Sequence, residues 1–63
     1  RTPLMLAALH GHRAIVERLL VAGASPFLLD REGQDARMLA LRAGHVEIAA
    51  RLADSTATPR QGN

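Results

Sequence analysis

Three histidines, His10, His12 and His45, are the side chains here whose chemistry could reach beyond packing. His10-Gly11-His12 would offer two imidazoles to a metal, but a stable site takes three or four ligands. The chain has no Cys, and no carboxylate cluster lies near these histidines in sequence. His45-Val46-Glu47 has the H-x-E spacing of zinc deaminases, whose other half is a P-C-x-x-C; without cysteine that reading fails. Ser25, which precedes Pro26, and Ser55 lie outside any strand-to-helix elbow, so neither reads as a nucleophile. The five glycines form neither G-x-x-x-x-G-K nor G-x-G-x-x-G, so no phosphate cradle is expected. The expectation is of no catalytic residue, no cofactor and no metal, and hence no enzyme.

The charges narrow the partners. All eight basic residues are Arg, set against six acidic ones, for a net charge of +2. The pI of 11.2 reflects the lack of Lys, Tyr and Cys to titrate above neutrality, not a strong field. Arginines could meet phosphates. However, Glu17, Glu32 and Glu47 are interspersed among them, and Phe27, the single aromatic residue, gives no platform for stacking bases. Nucleic-acid binding through Arg is therefore the least favoured reading. The longest run without charge, Leu19 to Leu29, is broken by Gly23, Ser25 and Pro26 and is too short to span a membrane. Neither membrane insertion nor a small-molecule substrate is expected, and the expected location is intracellular, cytoplasmic or nuclear.

The elements that must position these residues are set by an internal repeat. Thr2 to Leu20 recurs at Asp35 to Ala53, an offset of 33, with eight identities in nineteen pairs. Chance would supply roughly two. The identities are Met5/Met38, Leu6/Leu39, Ala7/Ala40, Gly11/Gly44, His12/His45, Ile15/Ile48, Arg18/Arg51 and Leu19/Leu52. Within the first copy, Thr2-Pro3 is a helix start, Leu4, Ala7 and Ala8 share a face, and a helix of two turns ends near Leu9. Gly11 supplies a left-handed stop. A second helix follows, with apolar rows Ile15/Leu19 and Val16/Leu20, and Gly23 closes it. Asp30-Arg31-Glu32-Gly33 reads as a tight turn in a connector from Ala24 to Gln34. Asp35 caps the next helix, Ala36 to Arg42, and a last helix runs from Glu47 to about Ala53. His12 and His45 at equivalent turns point to a structural task rather than ligation.

These residues resemble the ankyrin repeats. The first copy carries T-P-L at Thr2, L-A-A at Leu6 with Met5 in place of the usual His, and G-H at Gly11. Further along stand I-V at Ile15, L-L at Leu19, G-A at Gly23 and the D-x-x-G turn at Asp30. The resemblance covers roughly Thr2 to Ala53. It implies an all-α solenoid of antiparallel helix pairs with β-hairpin-like connectors, acting as a non-catalytic scaffold for another protein. The division expected is a first repeat with its connector over 1–34, a terminal capping repeat over 35–53 and a flexible tail or linker over 54–63. In the second copy Arg37 replaces Leu, Leu41 replaces Ala, and Ala49 and Ala53 replace larger aliphatics, which suggests an end repeat. Two repeats are too few to be stable alone, so one or more should precede Arg1.

Residue by residue, the resemblance puts a concave partner-binding surface at Arg1, Leu9 and His10 in the first copy. In the connector and second copy the corresponding positions are Leu29, Arg31, Glu32, Gln34, Arg42 and Ala43. Leu29 in a polar turn, with Arg31 and Arg42 on exposed elements, fits such a surface. Phe27 and Leu28 are instead expected to pack the connector onto the next helix pair. The alternative reading is a regulatory or targeting segment of a larger enzyme or channel.

Overall fold

A computed structural model describes residues 1–56, with side chains placed for residues 1–54. Four helices follow in order: α1 (Pro3–His10), α2 (Arg13–Val21), α3 (Ala36–Arg42) and α4 (Val46–Thr56). Side-chain caps start α1 and α3, while α2 follows its turn without one. The Thr2 hydroxyl accepts from the Met5 N–H at 3.2 Å, and the Met5 thioether accepts from the Thr2 N–H at 3.4 Å. Met5 thus completes the reciprocal cap that Glu or Gln more often supplies at this position. Asp35 caps α3 by accepting from the Met38 N–H at 2.9 Å.

The two helix–helix turns share one geometry. Gly11 and Gly44 take φ of 77° and 83°, in the left-handed region. The His12 N–H donates to the Ala7 carbonyl at 2.9 Å, and the His45 N–H to the Ala40 carbonyl at 2.8 Å. The helices nearly match the expected limits. α1 runs one residue further, to His10, while α4 begins at Val46 and continues to Thr56. Helix therefore includes the first three residues of the expected tail; the remainder, 57–63, lies outside the described residues.

α1 and α3 pack side by side, each also pairs with the helix that follows it, and α2 touches α4 only lightly. The core they enclose is Leu4, Met5, Ala7, Ala8, Val16, Ala36, Leu39, Ala40, Ile48, Ala49 and Leu52. Five of these eleven are Ala, and small side chains let the inner helices approach closely. The architecture is all-α and repetitive, with no strand among the described residues. The connector nonetheless folds back on itself, since the Asp30 N–H donates to the Gln34 carbonyl at 2.9 Å.

Candidate functional site

The connector turn is organised by one carboxylate. Asp30 Oδ1 accepts from the backbone N–H groups of Glu32 and Gln34, both at 2.9 Å. The Gly33 N–H donates to the Asp30 carbonyl at 3.0 Å, closing the expected four-residue turn, and Gly33 takes φ of 76°. The Asp30 side chain is only 4% exposed, and its other oxygen lies 3.3 Å from Arg1 Nε. Its pKa is lowered, chiefly by the hydrogen bond from Gln34; partial desolvation opposes this, and the Glu32 N–H and Arg1 add to the lowering.

Beside this turn a polar chain runs to the end of α3. Gln34 Nε2 donates to Glu32 at 2.9 Å, Arg42 Nη1 donates to Gln34 Oε1 at 2.9 Å, and Arg42 lies 3.8 Å from Glu32. Glu32, Gln34 and Arg42, expected at a common surface, are thus brought together, and Arg1 is held to the same turn through Asp30. Arg31 is exposed and has no ion-pair partner among the described residues. Leu29 is exposed as well. His10 is exposed at the end of α1, with its ring centroid 6.2 Å from that of His12, whereas Leu9 is partly buried against the core. Ala43 is the exposed C-cap of α3.

Phe27 and Leu28 require a correction. Both are more than half exposed, so neither seals the connector against the next helix pair. Pro26 takes the buried place instead. The Ser25 hydroxyl accepts from the Phe27 N–H at 3.2 Å, a local turn that carries Phe27 outward. Leu28 lines an apolar groove with Thr2, Pro3, Leu4, Leu19, Ala24 and Ser25, facing its own repeat and not the following one. The exposed apolar run of the connector is therefore Phe27, Leu28 and Leu29. In sequence, the signal was the Ser-Pro step, at which Pro26 is buried and the three residues after it are exposed.

Among the described residues no group of three or more His, Cys, Asp or Glu is placed to hold a metal ion. His45 instead lies over the preceding turn. A methyl group added at Gly11 would come within 2.6 Å of His45 Cε1, so the imidazole fits because Gly11 has no side chain. Ion pairs join the outer helices. Arg13 Nη1 lies 2.8 Å from Glu47, and Arg51 Nε lies 2.9 Å from Glu17. Among the described residues, no helix is long and apolar enough to cross a membrane.

A family model described as ankyrin repeats (3 copies) matches residues 1–63. The match runs through residues 54–63. No curated protein shows significant similarity to the chain.

Proposed function

This chain belongs to the ankyrin-repeat family, and from that premise we propose that it is a non-catalytic platform gripping another protein along the connector and the adjoining helix ends. Ankyrin repeats are in general protein–protein interaction modules, typically without catalysis. The surface assigned to the partner is Arg1, Leu9, His10, Leu29, Arg31, Glu32, Gln34, Arg42 and Ala43.

One observation carries this reading. An exposed apolar side chain, Leu29, and a cation with no ion-pair partner among the described residues, Arg31, project at a turn held by the hydrogen bonds to Asp30. A rigid turn loses little entropy on binding, so contacts made by its projecting side chains are not offset by ordering. Arg42 is held by Gln34 and Glu32, yet its side chain is exposed, and a surface pair of this kind is worth at most about 1 kcal/mol. A partner carboxylate can therefore recruit it at little cost. The partner chemistry that fits is an acidic segment with an apolar or aromatic residue beside the charge.

The test is to select peptides on the 63-residue chain from a random displayed library and to follow the bound chain by amide chemical shifts. The selected peptides are expected to pair acidic with aromatic residues. The shifts are expected at Leu29 to Gln34, at Leu9 and His10, and at Arg42 and Ala43. Shifts confined to α2 and α4 would overturn the assignment.

A further inference from the structure

The backbone of Gln34 is fixed on both sides by one residue. Its N–H donates to Asp30 Oδ1 and its carbonyl accepts from the Asp30 N–H, both at 2.9 Å. The side chain therefore starts from a defined point, half-buried just before the N-cap of α3. From there it serves two charges of opposite sign. Gln34 Oε1 accepts from Arg42 Nη1 and Nε2 donates to Glu32 Oε1, both at 2.9 Å. Reversing the amide would set its NH2 group against the guanidinium and its oxygen against the carboxylate, so the two neighbours fix its orientation.

The amide also keeps these charges apart. Arg42 Nη1 and Glu32 Oε1 are 3.8 Å from each other, against about 2.7–2.9 Å for a charge-assisted hydrogen bond. Both side chains are long and exposed, at 63% and 66%, so each could swing to meet the other if the amide between them were absent. A direct pair of that kind would occupy the planar fork of the guanidinium. With Gln34 in place, Arg42 spends one Nη1 donor on a neutral oxygen, and its Nε and Nη2 groups hold no hydrogen bond among the described residues. That free edge matches the two oxygens of a carboxylate.

We propose that Gln34 is a positioning residue of the binding edge: it keeps Glu32 from closing on Arg42 and presents the free edge of that guanidinium to an Asp or Glu side chain of the partner. This rests on the edge proposed above and adds the group read there, a carboxylate met by two parallel N–H donors. Gln34 acts through Arg42.

Calorimetry with a peptide selected on the 63-residue chain tests this, using Gln34→Ala, Glu32→Gln/Gln34→Ala and Arg42→Lys. Gln34→Ala is expected to weaken binding by about fivefold, because Glu32 then pairs directly with Arg42. Adding Glu32→Gln removes the competing carboxylate and is expected to restore most of the affinity, a recovery that a merely structural loss at Gln34 would not show. Arg42→Lys keeps the charge without the fork, so it is expected to weaken binding as well. None of the three side chains is buried in the core, and circular dichroism checks that each variant keeps its helices. In the free wild-type chain, nuclear Overhauser contacts are expected from the Gln34 amide protons to the side chains of both Glu32 and Arg42; their absence overturns the proposal without any partner. If Arg31→Glu/Arg42→Glu leaves the affinity unchanged, the binding edge itself fails and this role with it. If that variant binds weakly while Gln34→Ala binds as wild type, or while Glu32→Gln brings no recovery, the edge stands and the role of Gln34 falls.

Discussion

Two glycines at equivalent positions show what the repeat offset makes legible at the scale of single residues. Gly11 and Gly44 both stand after short helices, and both take the left-handed conformation that their positions require. What the offset could not give is their different surroundings. His45 lies on Gly11, while a side chain at Gly44 would meet nothing within 4 Å. That difference arises from stacking of the second turn on the first, a distance absent from the pattern of either copy. The structural task expected for His45 was readable from its equivalence with His12; the contact that performs it was not. Gly44→Ala is expected to cost about 1–2 kcal/mol, the strain of a left-handed Ala. Gly11→Ala carries the same strain and also displaces His45, so it is expected to cost more. Denaturant unfolding of the two variants compares them, and equal losses would remove the His45 contact from the account.

Among the elements, the connector was the least readable. Helices α1 to α3 follow from capping residues, apolar spacing and glycine stops, and their limits agree with the chain to within a residue or so. The D-x-x-G turn was equally plain, because Asp30 accepts from the N–H groups two and four residues on. The bond between Arg1 and Asp30 spans 29 residues and has no local signature. The outward course of Phe27 and Leu28 was also missed, since an apolar run is most often buried and only the anchoring of Pro26 redirects it. Asp30 gives this element a pH dependence of definite sign. Its carboxyl has a lowered pKa in the folded chain, so the folded state binds the proton less readily than the unfolded one. The stabilisation is present above the unfolded value and is lost as pH falls through the folded one, that is, below about pH 4. Amide exchange at Glu32 and Gln34 is expected to speed up over that range relative to core amides. In Asp30→Asn the same amides should exchange faster than wild type at neutral pH and lose this pH dependence. Amides in Asp30→Asn that exchange as slowly as wild type at neutral pH would contradict the role given to Asp30.

For the whole molecule, the 33-residue period carried the fold: two helix pairs stacked through a shared core, in a chain of the ankyrin-repeat family. The period extends further than the helical copies, because Ala57-Thr58-Pro59 stands 33 residues after Ala24-Ser25-Pro26. That echo is a sequence signal consistent with a family match that runs to residue 63. The proposed binding edge is less legible than the stack, because stacking residues recur from copy to copy and are found by comparison, whereas residues at an edge vary. Its components are nonetheless adjacent, with Leu29 and Arg31 on the turn and Arg42 tied to that turn through Gln34. The central claim is that this edge receives a protein partner, and one titration tests it most directly. A peptide selected on the wild-type chain is titrated by calorimetry against that chain and against Arg31→Glu/Arg42→Glu, with circular dichroism confirming that the variant keeps its helices. The account predicts that binding weakens by about 1–3 kcal/mol while the helices persist. An unchanged affinity in the folded double variant would contradict it.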